Sequence, residues 1–305
     1  MNMNKKVVLV CVFVCLFSLV AVPSVKSQLT RVIFINADGS VSGTSTIQRN
    51  GNLYRLTGNL NDYPIVVLCN NIVLDGEGFV LQGAGGWAPG VTGTEAASAI
   101  NLTCSNVTVR NFNILGWEVG VLGAWNGNTI SNNNITGTGN IIENERAIAI
   151  YADNYNVTGN YLANSIYGVR IKGNNNHILQ NQIVNNYGGI LISSSSGTVI
   201  TENNFANNGV AFNVDDSIFE IYHNNFINNA NTRIVTTTSD ALGFGGGTMP
   251  TWDNGEEGNY WSDYTTKYPN AAEIDHTGIG NTPYLIRVDP TVTATPSSHP
   301  STSKT

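Results

Sequence analysis

The stretches HILQNQIVNN (177–186), VITENNFANN (199–208) and EIYHNNFINN (220–229) are copies of one frame: apolar-x-x-Asn-x-apolar-x-Asn-Asn. The frame fits Ile178 to Asn186, Ile200 to Asn208 and Ile221 to Asn229 without a gap. It recurs from Val157 (VTGNYLANS), altered only at its last position, and in weaker form from Ile130 (ISNNNITGT) and Val109 (VRNFNILGW). The starts at 109, 130, 157, 178, 200 and 221 are 21, 27, 21, 22 and 21 residues apart, and GTGNII at 137–142 accounts for the long step. A repeat of this size is one supersecondary unit that cannot bury its apolar face alone, so the chain must stack units into a solenoid.

Each unit carries a second apolar run: AIAI at 147–150, GVRI at 168–171, GILI at 189–192 and GVAFNV at 209–214. The runs are short, alternate in face, are rich in Val and Ile, and are bounded by Gly, Asn and Ser, the signature of short strands between tight turns. A unit has room for about three such strands, which predicts an all-β parallel β-helix of 21–22 residues per coil with coils about 4.8 Å apart. A leucine-rich solenoid has a similar period but needs a Leu framework that these repeats lack.

In-register stacking places Asn160, Asn181, Asn203 and Asn224 one above another. Each side-chain amide can then donate to the oxygen of the next, giving an asparagine ladder along the axis. Asn also tolerates the left-handed backbone that turns require. The ladder reading outweighs sugar recognition at these positions.

Three further segments give the chain a family likeness: IFINADGSVSGTSTIQRNGNLYRLTGNL (33–60), IVVLCNNIVLDGEGFVLQG (65–83), and WDNGEEGNYWSDY with IDHTGIGNTPYLI (252–286). With the coils, they resemble the right-handed parallel β-helix of NosD-type proteins, also grouped as carbohydrate-binding and sugar-hydrolase domains, in the form found in archaeal secreted and surface proteins. The resemblance implies a carbohydrate partner by analogy of fold, not by a motif. LCNNIVLDGEGFVLQG (68–83) aligns with TCSNVTVRNFNILGW (103–117), placing Cys69 and Cys104 on successive coils with an inserted loop near 84–98 between them. Parallel side chains hold their Cβ atoms near ~4.8 Å, longer than the usual 3.5–4.5 Å of a disulfide, which favours two stacked buried thiols.

Many parallel β-helices process polysaccharides. GVRIKG at 168–173 with Asp215 and Asp216 resembles the Arg-Ile-Lys element and Asp pair of polygalacturonases. Here the order is reversed and no Gly-His-Gly occurs. Arg170, Lys172, Asp215 and Asp216 are therefore candidates for an active site of a lyase or glycoside hydrolase acting on an acidic polysaccharide, weighed against outward residues of a solvated strand. Binding candidates are Trp87, in the Gly-rich GAGGWAPGVTG, and Trp117 and Trp125, which flank one strand; exposed indoles stack on sugar rings, whereas buried ones only pack. Glu143, Glu145 and Arg146 form either a surface ion cluster or a groove lining.

Soft-metal sites need clustered His, Cys or Met. His177, His223, His276 and His299 fall at different repeat positions and Met249 is the only methionine after the leader, so copper has no support and no cofactor is expected. Calcium has weak candidate ligands in Asp275 and Asn281, in a loop whose His276 and Thr277 stand where the resemblance implies more acidic residues. Trp252, Tyr260, Trp261, Tyr264 and Tyr284 suit an aromatic cap over the last coil, which otherwise exposes strand edges.

With 14 Lys plus Arg against 21 Asp plus Glu, the chain has no basic stripe for a phosphate backbone, which argues against a nucleic-acid partner. The start, MNMNKK followed by VVLVCVFVCLFSLVAV, reads as a signal peptide over 1–27, with an uncleaved membrane anchor as the competing reading of an apolar run somewhat short of a full span. Its removal takes Cys11 and Cys15 and implies a secreted or cell-surface location. The rest divides into an N-terminal cap and first strands (28–64), coils (65–240), a C-terminal capping segment (241–288) and a Ser/Thr/Pro-rich tail (289–305) with no membrane span after it. Of the sequons at Asn101, Asn106, Asn134 and Asn156, the repeat alignment turns Asn106 and Asn156 inward and leaves Asn101 and Asn134 for glycosylation. The expected role is an extracellular structural or carbohydrate-binding module, with the polysaccharide lyase or hydrolase as the alternative.

Overall fold

A computed structural model describes residues 32–83, 98–137, 146–215, 217–235, 251–274, 277–285, 287–288 and 300–302. The chain winds as a right-handed parallel β-helix bounded by three long sheets, one of eleven strands and two of nine. Each coil gives one strand to each sheet. Tyr167–Ile171, His177–Leu179 and Gln182–Val184 make one coil, and Gly188–Ser193, Ser196–Thr201 and Asn204–Ala206 make the next. The apolar runs at 147–150, 168–171, 189–192 and 209–214 all lie in the eleven-stranded sheet.

The frame starts are the register of the second sheet. Val109 pairs with Ile130, Ile130 with Val157, Val157 with Ile178, Ile178 with Ile200, and Ile200 with Ile221. All six are fully buried. The second apolar position stacks likewise on the third sheet, where Leu162, Ile183, Phe205 and Phe226 follow one another. Burying one such side chain contributes about 1.5–3 kcal/mol, and stacking identical positions repeats that gain at every coil.

The asparagines of the frame have two distinct jobs. Asn160 donates its side-chain amide to Asn181 Oδ1 at 3.0 Å, Asn181 to Asn203 Oδ1 at 2.9 Å and Asn203 to Asn224 Oδ1 at 3.0 Å. Asn133 and Asn259 extend this row at its two ends, each at 3.0 Å from its neighbour. Every Oδ1 also accepts a backbone N–H from the coil before, as Asn203 Oδ1 does from Asn181. The last Asn of the frame builds a second row, Asn186 to Asn208 to Asn229. The left-handed conformation falls one residue earlier than the ladder amides, at Gln180, Glu202 and His223 in the first row and at Asn185, Asn207 and Asn228 in the second. Thus in the Asn-Asn pair that closes each of these frames the first residue turns the chain and the second bonds along the axis.

At the C-terminal end, Tyr260–Trp261 pairs with Asn225–Ile227 and continues the third sheet. The rings of Phe205, Phe226, Trp261 and Tyr284 form one column, with successive centroids 5.1, 4.2 and 4.1 Å apart. The Tyr284 hydroxyl donates to the Asp263 carboxylate, and Lys267 Nζ lies 3.7 Å from the Tyr284 ring centroid. At the other end, Ile33–Ile35 pairs in parallel with Ile65–Val67, and the antiparallel hairpin Ile47–Asn50 and Leu53–Leu56 joins the second sheet.

Candidate functional site

The outward face of the eleven-stranded sheet collects the polar side chains that break the repeat. Strand alternation turns Val121, Ile148, Val169, Ile190 and Phe212 into the core. Between them lies an outward row, Leu122, Ala149, Arg170, Leu191 and Asn213, in consecutive register. A parallel row pairs Val119 with Arg146, Arg146 with Tyr167, Tyr167 with Gly188, and Gly188 with Val210. One residue beyond the paired Ile150, Ile171 and Ile192 come Tyr151, Lys172 and Ser193, and Ser193 pairs with Asp215.

Tyr167 organises this face. One edge of its ring passes over Gly188, where a Cβ would come within 2.5 Å of a ring carbon, so the absence of a side chain there lets the ring cross a coil. Its hydroxyl then accepts a hydrogen bond of 2.8 Å from Asn213 Nδ2, two coils on. On the same face, the Arg170 guanidinium sits 5.3 Å from the centroid of the exposed Tyr151 ring. Burial, together with the nearby Arg170 charge, pushes Arg146 below its usual pKa, opposed by Tyr151, Glu118 and Tyr167.

Several polar atoms here are out of solvent yet make no hydrogen bond among the described residues: Glu118 Oε2, Arg170 Nε, Asn213 Oδ1 and Asp215 Oδ1. Such groups cost about 1–3 kcal/mol each when left unpaired, so their concentration on one face makes it the candidate site.

Arg170, Lys172 and Asp215 thus share one face, with Lys172 and Asp215 in one row and two coils, roughly 10 Å, apart. Asp216 lies outside the described residues. Glu118, before the strand Val119–Gly123, and Asp215 are four coils apart, about 19 Å, far beyond the roughly 5–9.5 Å of a glycosidase carboxylate pair. Trp125, 55% exposed, follows that strand by two residues and neighbours Tyr151 of the next coil. Trp117 is different: it packs against the core and donates Nε1–H to Leu81 O at 3.0 Å, so its ring is a packing element. Trp87 and Asp275 fall outside the described residues, as do Glu143 and Glu145. Tyr151, Tyr167 and Asn213 escaped the sequence reading because outward positions follow no period.

The glycosylation expectations need correction. Asn101 is only 3% exposed, on a strand buried along both faces, so no oligosaccharide fits there in the folded chain. Asn134 is exposed and donates to Asn113 Oδ1 at 3.1 Å. Asn106 and Asn156 do not share a repeat position, since Thr108 pairs with Thr129 and Thr129 with Asn156, and both asparagines are exposed. Cys69 and Cys104 are free thiols; Cys104 is buried but Cys69 only half so. Cys104 donates its S–H toward Cys69 O, and burial pushes its pKa up to about 11.

The family model described as periplasmic copper-binding protein (NosD) matches residues 66–266, more than half of the chain. The chain belongs to the NosD family. No curated protein matches this NosD-family chain in sequence. Among solved structures, it resembles tailspike protein 2 of an Escherichia coli O157:H7 bacteriophage at 18% identity and TM-score 0.39, covering 70% of this chain and 34% of the tailspike. It also resembles the DFA-IIIase of Arthrobacter chlorophenolicus A6 at 12% identity and TM-score 0.40, covering 77% of this chain and 70% of that one. An alginate lyase of a Paenibacillus species matches at 10% identity and TM-score 0.25, covering 68% of this chain and 97% of the lyase. The chain therefore spans about a third of the tailspike's length.

The copper in the NosD family description finds no fitting donor set among the described residues. No three His, Cys, Asp or Glu side chains there come together as metal ligands. His177 is an exposed strand residue, and His223 Nε2 lies 3.0 Å from a Glu257 carboxylate oxygen in another part of the coil. No described helix is long and apolar enough to cross a membrane.

Proposed function

We propose that this NosD-family chain is an exported or cell-surface module that holds glycan against the outward face of its eleven-stranded sheet. What carries the proposal is the concentration of unpaired buried polar atoms at Glu118, Arg170, Asn213 and Asp215 beside exposed aromatic rings. Sugar rings present apolar C–H faces and a rim of hydroxyls. Trp125 and Tyr151, exposed on consecutive coils, suit the former; the unpaired acceptors and donors suit the latter.

Binding fits this geometry better than hydrolysis. The described carboxylates of the face, Glu118 and Asp215, stand too far apart to act together on one glycosidic bond. Arg170, Lys172 and Asp215 are read as contacts to the sugar, not as acid, base or nucleophile. The export signal over 1–27 gives the module access to envelope or extracellular polysaccharide.

A glycan array probed with the full mature chain tests the proposal. Binding to at least one polysaccharide class, lost in Trp125→Ala and Tyr151→Ala variants that keep the wild-type melting temperature, supports it. Absence of binding to any glycan counts against it.

A further inference from the structure

Within the glycan reading, on which this step rests, the charges of the face say what kind of sugar it takes. The chain carries 14 cationic side chains against 21 acidic ones, yet Arg146, Arg170 and Lys172 fall on one face of two consecutive coils. Two other arginines are paired with carboxylates: Arg110 Nε lies 2.7 Å from Asp75 Oδ2 and Arg55 Nε 2.6 Å from Glu77 Oε1. Arg170 has no such carboxylate among the described residues. Its guanidinium lies over the Tyr151 ring, and its Nε is removed from solvent without an acceptor.

Arg146 stands close enough to Arg170 for the two positive charges to disfavour one another, and both are half-buried. Like charges drawn together in a partly dehydrated place are stabilised when an anion sits between them. A planar carboxylate matches the guanidinium fork, which offers parallel N–H donors and fixes orientation as well as charge. Asp215 stands two coils away in the Lys172 row, and the carboxylate whose charge reaches Arg146 is that of Glu118. This arrangement suits a chain that presents a carboxylate beside Arg170 and hydroxyl groups near Asp215.

We infer that the bound glycan is a uronate-containing polysaccharide, with one sugar carboxylate seated between Arg170 and Arg146, supported by Lys172 and oriented by the Tyr167–Asn213 pair.

Calorimetric titration of the full mature chain with oligogalacturonate, oligomannuronate and oligoguluronate, each beside its carboxyl-reduced neutral counterpart, tests this directly. The expected result is that at least one uronate binds about tenfold or more tightly than its reduced form, the scale of one charge-assisted hydrogen bond. Arg170→Gln abolishes that difference, whereas Arg170→Lys keeps part of it. Lys172→Gln, at an exposed position that leaves the fold intact, weakens uronate binding with increasing effect at low salt. Equal affinity for charged and reduced sugars overturns the inference and leaves the glycan proposal standing. Binding of none of the six sugars, with no glycan bound on the array, overturns both.

Discussion

Asn181 and Asn203, one coil apart, are joined twice: both the backbone N–H and the side-chain amide of Asn181 donate to Asn203 Oδ1, each at 2.9 Å. Asn203 passes the same pair of bonds on to Asn224 and also donates to Ile178 O. Leucine at Asn203 is close in size and more apolar, but it takes the acceptor from the buried Asn181 backbone N–H and the side-chain donor from the Ile178 carbonyl. Each abandoned group costs about 1–3 kcal/mol. Asn203→Leu should lower the melting temperature well beyond what its apolar gain restores; an unchanged or higher melt contradicts the role given to the ladder.

Asp75 is almost fully buried and accepts hydrogen bonds from the Glu77 backbone, Asn111 Nδ2 and Arg110 Nε. Burial pushes its pKa up, but the three donors outweigh it and hold the carboxyl below 3.8, its usual value. A depressed carboxylate stabilises the fold above its unfolded pKa, and that contribution disappears as pH falls through the folded value. Acid unfolding should therefore steepen below pH 3.8, and Asp75→Asn should flatten that limb while costing about 2 kcal/mol at pH 7.

Alkaline pH should act through Cys104 and Tyr155. Burial raises Cys104 from 9.0 to about 11 and Tyr155 from 10.0 to about 12. Both groups keep their protons in the folded chain after the unfolded chain has lost them, so stability present below pH 9 declines toward pH 12. Each shift is worth up to about 3 kcal/mol. Urea titrations at pH 8 and 11 check this: Cys104→Ala should narrow the difference, and a stability independent of pH over that range contradicts it.

The aromatic column makes the cap part of the core. Trp261 stacks between Phe226 and Tyr284 at 4.2 and 4.1 Å and is nearly inaccessible. Trp261→Ala should cost about 3–5 kcal/mol. Because it uncovers the last coil's edge, it should also promote self-association, measurable by light scattering.

The architecture was legible because its cause is periodic. Val109, Ile130, Val157, Ile178, Ile200 and Ile221 recur in sequence at the spacing that the sheet register requires, and the amides that bond along the axis recur with them. The site was less so. Arg170, Lys172 and Asp215 stand out as charges in a poorly charged chain, but Tyr167 reaches Asn213 only because Gly188 leaves a gap, a relation across three coils that no local pattern encodes. Asn101 failed as a glycosylation site for a similar reason: alternation turns it away from the core, yet both faces of its strand are buried. The left-handed turn falling on Gln180, Glu202 and His223, not on the ladder amides beside them, shows that residue type alone does not assign a conformation.

Two exposed tyrosines on different sheets separate this account from a generally sticky surface. Tyr151 lies on the proposed face beside Arg170, whereas Tyr161, 43% exposed, belongs to the third sheet. The decisive measurement is the affinity of the glycan identified on the array for the wild type, Tyr151→Ala and Tyr161→Ala. The account predicts a loss of about tenfold for Tyr151→Ala, on the scale of one stacking contact, and wild-type affinity for Tyr161→Ala. Undiminished binding by Tyr151→Ala, or an equal loss in both variants, would contradict it.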